Sequence, residues 1–298
     1  MSRPGGPIAG LFDLLARAEQ FWSSQRELVW RHFSVAGEHL RVGSPDSELL
    51  ERLTWALGPA EPGPSGLEVR LWSGSPELVL EESWRQARGD CPDFGPGRLT
   101  QCGPEAPVCL WQESLAYYWV PGRLSDHELG APLRTAIYLW LARQQRQLVH
   151  AAAVSRDGRA VLIGGRGGSG KSFLCRHLEG WSCLGDDYVG LGPGAVYPVY
   201  RSLKLDGQLE RLEPAAPATL VGGLLLGADE GPAPVSRLAR TIGASTLLLL
   251  PWSDAGDLAR IGSALNGLPC WGLPVRPSVK VVHRWLARFF DACGPANV

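Results

Sequence analysis

Apolar and polar residues alternate over residues 32–42, the period of one arm of a β-hairpin. Ahead of it, residues 11–30 carry a weak helical periodicity. Residues 44–57 begin with turn formers and predict a helix capped near Ser47, with Glu48 and Glu51 in its first turn. Residues 58–66 hold three Pro and three Gly and read as a loop. Two apolar stretches, 67–72 and 108–120, predict strands, separated by a segment studded with Gly and Pro over 87–107.

The character changes after Pro121. Residues 125–147 place Leu129, Leu133, Ile137, Trp140 and Leu141 on one helical stripe. Residues 148–154 and 160–163 are rich in Ala, Val, Leu and Ile and predict strands around a turn at Asp157-Gly158. A glycine-rich turn follows, then a helix over 171–179 closed by Gly180, then a short strand over 181–184. This strand–loop–helix–strand order is the pattern of a parallel sheet in an α/β protein. Further on, 220–226 and 246–250 predict two apolar strands, and 236–240 a helix surface. Val281, Val282, Trp285, Leu286 and Phe289 form the apolar face of a helix over 277–290. The expected fold class is α/β, with an N-terminal α+β portion over 1–124 packed on an α/β domain over 125–298.

Composition narrows the function classes. The chain has 298 residues, 45% of them apolar and 20% charged, the make-up of a globular protein. Acidic and basic residues balance at 30 against 29, so no global field recruits nucleic acid or an anionic membrane. No apolar run reaches the roughly 18 residues that span a bilayer. The first 15 residues meet Asp13 before any long apolar stretch and make a poor signal peptide. Seven scattered Cys without a C-x2-C pair argue against a zinc or disulfide framework, and a cytoplasmic setting is expected. Of the 29 basic residues only Lys171, Lys204 and Lys280 are Lys.

Lys171 falls inside the one motif with a specific mechanism. Gly165-Arg166-Gly167-Gly168-Ser169-Gly170-Lys171-Ser172 fits G-x-x-x-x-G-K-[ST], between a strand and a helix. Glycines let successive backbone N–H groups turn inward around a phosphate. Lys171 reaches the β- and γ-phosphates, and Ser172 offers its hydroxyl to Mg²⁺. The expected ligand is therefore a nucleoside triphosphate with Mg²⁺. Asp186-Asp187 close the strand after the loop helix, at a carboxyl end where ligands of open α/β sheets sit. Beside a phosphate, one would hold the metal and the other accept a hydroxyl proton; alone, the pair reads equally as an acidic turn. His150 leads the strand feeding the loop, as a core histidine or a site residue. Arg201 and Lys204, three apart, are candidate anchors for a phosphate or a substrate carboxylate, or a solvated strand face.

Taken together, His150, the loop 165–172 and Asp186-Asp187 resemble the catalytic domain of HPr kinase/phosphorylase, which shares its P-loop core with phosphoenolpyruvate carboxykinase. The likeness covers roughly residues 148–190. It implies that Asp187 is the base that deprotonates a serine hydroxyl, and that His150 is an active-site residue. It further implies that Lys171 and Ser172 are phosphate and Mg²⁺ ligands, with Asp186 beside the metal. The chain departs from the family after the Asp pair. Tyr200-Arg201-Ser202-Leu203-Lys204-Leu205 stands where the family carries a later acidic metal ligand in a Glu-Ile-Arg-Gly setting. The resemblance is closer to the divergent members found beside peptide natural-product genes.

The expected activity is Mg·ATP-dependent transfer of the γ-phosphate to a serine of a peptide or protein. A small-molecule kinase and a non-catalytic nucleotide-binding module stay open, as does self-association. Residues 1–124 hold no phosphate loop or nucleophile–base pair. They serve either to capture a peptide on a sheet edge or to cover the catalytic core.

Overall fold

The computed structural model describes residues 11–25, 27–74, 93–94, 97–101, 107–120, 131–205, 208–249 and 255–292. In chain order these form α1 (Leu11–Ser23), β1 (Val29–Val35), β2 (Glu38–Ser44), α2 (Ser47–Leu57), β3 (Leu67–Ser73), β4 (Asp93–Phe94), β5 (Gly97–Gln101), β6 (Val108–Gln112) and β7 (Leu115–Val120). Then come α3 (Arg134–Arg143), β8 (Gln147–Val149), β9 (Ala152–Arg156), β10 (Arg159–Gly164), α4 (Lys171–His177), β11 (Ser182–Gly185), β12 (Val189–Gly192) and β13 (Ala195–Pro198). The remainder is β14 (Ser202–Leu205), β15 (Gln208–Arg211), β16 (Ala218–Leu226), β17 (Gly231–Pro232), α5 (Val235–Leu249), α6 (Ala255–Leu265), β18 (Cys270–Leu273) and α7 (Val279–Ala292). The protein is thus mixed α/β, with two large mixed sheets and these helices packed on them.

The first sheet has the order β1-β2-β3-β7-β6-β5-β4. Ala36 and Gly37, both with positive φ, make the two-residue turn that the strand twist of the β1–β2 hairpin requires. Asp46, one residue before the position the sequence suggested, caps α2 by accepting a hydrogen bond from the Leu49 amide. On one face of this sheet α1 lays Leu14, Ala18 and Trp22 over Val108, Leu110, Tyr117 and Trp119. On the other, Phe33, Leu40, Leu53 and Leu57 share a core with Ile137, Tyr138 and Trp140 of α3.

The second sheet runs β11-β9-β10-β16-β13-β12-β8, with β18 also pairing β16. Leu238, Ile242, Ile261 and Leu265 of α5 and α6 cover one face. Leu174 of α4 and Leu178 just after it, with Val282, Leu286 and Phe290 of α7, cover the other. Each apolar stripe is the one its helix period demands, so the sheet sits between two helical layers.

Four sequence expectations need correction. The sheet is mixed: β10 is parallel to β16 but antiparallel to β9. The Asp157-Gly158 turn, with both residues at positive φ, closes a two-residue hairpin, and that forces antiparallel pairing. Residues 246–249 are the end of α5, not a strand. A short Leu run fits either state, and here the helix starting at Val235 carries through it. The stretch 108–120 is two strands folded at Glu113, which takes positive φ. The strand expected over 148–154 is broken between β8 and β9 at His150-Ala151. Most of the Gly/Pro-rich segment 87–107 and the start of the helix expected over 125–147 lie outside the described residues. No helix among the described residues is long and apolar enough to cross a membrane.

Candidate active site

β10 delivers its chain into the glycine loop at Gly164, and the loop turns straight into α4. Two glycines are required by geometry. A Cβ at Gly165 would lie 2.5 Å from Ser169 Oγ and 3.0 Å from Leu226 Cβ. Gly170 takes φ +105° at the start of α4, with the backbone of Arg276 3.2 Å from where its Cβ would be. Arg276, in the turn between β18 and α7, donates its amide to Ser169 O at 2.8 Å and its Nε to Gly168 O at 3.3 Å. The loop is thereby clamped by the chain that follows β18, two strands along the sheet from β10.

Lys171 is 7% exposed, and its Nζ donates to Gly165 O at 2.9 Å and Arg166 O at 3.4 Å. Burial pushes its pKa below the ordinary lysine value, opposed by the carboxylates of Asp187 and Asp186. The ammonium is thus buried against the loop carbonyls, with the two carboxylates close enough to oppose its desolvation. Cys175, one turn further along α4, is buried. Its hydrogen bond with Cys183, and then burial, hold its thiol well above the usual range, so it packs rather than reacts.

The break between β8 and β9 turns the backbone at His150, whose amide donates to the buried hydroxyl of Thr246 at 3.0 Å. His150 Nε2 meets Asp187 Oδ1 at 2.6 Å, while Nδ1 is buried without a partner. A neutral imidazole so placed carries its proton on Nε2 and donates it to the carboxylate. Tyr188 lies against the His150 ring at 5.7 Å and accepts a hydrogen bond from Arg134 Nη1 at 2.9 Å. Burial pushes the Tyr188 hydroxyl up to about 12, so it stays protonated.

His150, Lys171, Asp186 and Asp187 line one cleft of about 1000 Å³, together with Gly167, Gly168, Ser169, Gly170, Ser172, Phe173 and the stretch 276–279 that leads into α7. That is at the upper end of what small-ligand sites occupy. Asp186 is 4% exposed, whereas the Asp187 side chain is 42% exposed and opens on the cleft. Asp186 and Ser172 give two hard oxygen donors in the cleft. That donor set fits Mg²⁺, which takes one or two protein oxygens and completes its shell with phosphate oxygens and water. Among the described residues no three His, Cys, Asp or Glu side chains form a metal cage, so a cation here would share its ligands with phosphate.

Of the residues singled out in the sequence, His150, 167–172, Asp186 and Asp187 come together, and Gly165 and Arg166 hold the lysine from behind. Arg201 does not join them. Its amide donates to Ala56 O at 2.6 Å and its guanidinium lies on Gly58, at the end of α2. Lys204 belongs to β14, and its side chain lies outside the described residues. Two neighbours were missed, Tyr188 and Arg134. Tyr188 directly follows the Asp pair, which was a usable signal; Arg134 had none.

Tyr200 packs edge-on to Tyr188 at 6.2 Å, and its hydroxyl is buried without a hydrogen-bond partner. Tyr200→Phe is therefore expected to raise stability by about 1 kcal/mol, since it removes an unmet polar group and leaves the packing. Denaturant titration of the two proteins checks it; a clear loss of stability would mean that the hydroxyl is satisfied.

No protein-family model and no curated protein matches the chain.

Proposed function

We propose that the protein is a P-loop kinase of the HPr kinase type that transfers the γ-phosphate of Mg·ATP to a hydroxyl, that of a serine in a peptide or protein. The observation that carries the reading is the meeting of two half-sites in one cleft. A buried lysine sits on a G-x-x-x-x-G-K-S loop, and a carboxylate held by a histidine at 2.6 Å faces it. The first is built for a polyphosphate, the second for taking a proton.

In the mechanism, Lys171 leaves the loop carbonyls for the β- and γ-phosphates, and the loop amides bind the remaining oxygens. Ser172 and Asp186 would hold Mg²⁺, whose charge offsets that of the phosphates. Asp187 accepts the proton of the attacking hydroxyl. His150 is the positioning residue: by donating from Nε2 to Oδ1 it fixes the carboxylate in the direction of the cleft. Phosphoryl transfer asks the protein chiefly for position and charge neutralisation, and these groups supply both. The exposed face of Asp187 supports a macromolecular acceptor, since a free amino acid would be better enclosed.

The test is transfer of labelled phosphate from Mg·ATP to serine-containing peptides, with mass spectrometry to locate it. Lys171→Ala is expected to weaken Mg·ATP binding about thirtyfold or more, the worth of charged hydrogen bonds lost, and to abolish labelling. Labelling that survives this change would end the reading. Nucleotide binding without transfer to any peptide or small hydroxyl acceptor would favour a binding module instead.

A further inference from the structure

Phe173 is the only aromatic among the large apolar side chains that stand exposed in the described residues, at 43%. It lies on α4 two residues after Lys171, on the side of the helix away from the core, and it lines the cleft. Its ring is stacked on that of His177, with centroids 4.2 Å apart and planes 27° from parallel. His177 is itself fixed, because its Nδ1 donates to the Phe173 carbonyl at 2.8 Å. The result is a two-ring shelf with an exposed aromatic ring, in the same cleft as His150 and Asp187. Pro277 of the β18–α7 turn and Val279 at the start of α7 line the same cleft.

An exposed aromatic ring backed by a second ring costs free energy in water and is suited to a planar partner. We infer that the Phe173–His177 pair is the seat of the nucleobase, recognised by its face and not by its edge. The inference rests on the nucleotide-binding reading and extends it to specificity. Three polar side chains of the cleft near this shelf have protein partners. Arg176 pairs with Glu210 at 2.6 Å, the Arg276 Nε is on Gly168 O, and Ser278 accepts from the Val281 amide. Stacking is tolerant of base identity because every base offers a π-face. The site therefore takes nucleoside triphosphates by the face of the base, with little discrimination between ATP and GTP.

Calorimetric titration of the full chain with Mg·ATP, Mg·GTP and Mg·tripolyphosphate tests this. Wild-type protein is expected to bind ATP and GTP within about fivefold of each other. Phe173→Ala should weaken both by about tenfold or more, the range of a lost base–aromatic stack, and leave tripolyphosphate binding unchanged. Phe173→Tyr, which keeps the ring, should bind the nucleotides as the wild type does. The proposal is overturned if Phe173→Ala binds ATP normally, if it loses ATP and tripolyphosphate together, or if the wild type prefers one purine about a hundredfold. Failure of the wild type to bind either ATP or tripolyphosphate would instead overturn the nucleotide reading, and the base seat with it.

Discussion

Asp187→Asn is expected to slow phosphoryl transfer by about a thousandfold while Mg·ATP binding persists. The substitution keeps the size of the side chain and an oxygen that can accept from His150 Nε2, whose contact with Asp187 spans 2.6 Å. What it removes is the capacity to take a proton, and general-base contributions of this kind run from about 10² to 10⁴. Binding should hold because Lys171 and the loop amides, not Asp187, meet the phosphates, and the loss of an anion beside them slightly favours a polyanion. The change also has a pH signature. Asp187 is the first of the charges that support the Lys171 ammonium against desolvation. Without it the lysine pKa falls further, so nucleotide affinity should drop at a lower pH in the variant as pH rises. Single-turnover rates and binding across the alkaline range read both effects. Turnover within about tenfold of wild type would remove Asp187 from the role of base.

Much of this cleft was legible because its chemistry is local. The loop 165–172 and Asp186-Asp187 are contiguous in sequence, and the strand–helix–strand order between them fixes their separation. His150 was harder, because an apolar strand containing one His reads first as core. Only the break between β8 and β9, held by the Thr246 hydroxyl 96 residues away, turns it toward Asp187. Arg201 shows the reverse error. Its spacing from Lys204 after a turn suited an anchor as well as a solvated strand face, but its amide bonds Ala56 O near the end of α2, and nothing in the local pattern encodes that partner. The Phe173–His177 stack was invisible for a similar reason. An i, i+4 pair on a helix is ordinary, and its meaning comes from which side the cleft lies on.

Sheet direction was lost to a turn. Asp157-Gly158 was recognised as a turn, yet a two-residue turn between strands dictates antiparallel pairing, and the parallel expectation set that aside. The expected strand over 246–250 failed because a run of identical apolar residues carries no period, and 247–249 are the end of α5. Each miss traces to information held outside the window being read.

A chain beginning at residue 125 is expected not to fold. The core beneath α3 is built from both sides of that point. Phe33, Val35, Leu40, Leu53 and Leu57 are buried together with Ile137, Tyr138, Leu148, Tyr188, Val199 and Tyr200. Main-chain bonds cross as well: the Ala36 amide donates to Pro198 O at 2.9 Å, and the Arg201 amide to Ala56 O. Arg146 closes the seam by bonding Ala36 O at 2.8 Å and pairing with Glu38 at 3.1 Å. Exposing a large buried apolar side chain costs about 1.5–3 kcal/mol, so uncovering several exceeds the whole stability of an ordinary domain, about 5–15 kcal/mol. Tyr188 would be among those uncovered, and it abuts the ring of His150, so any residual fold would lose the cleft first. The expected product is insoluble on expression and shows no cooperative thermal transition after refolding. A fragment that stayed folded and bound Mg·ATP but no longer modified its acceptor would instead assign residues 1–124 to substrate recognition. A fully active fragment would refute both roles.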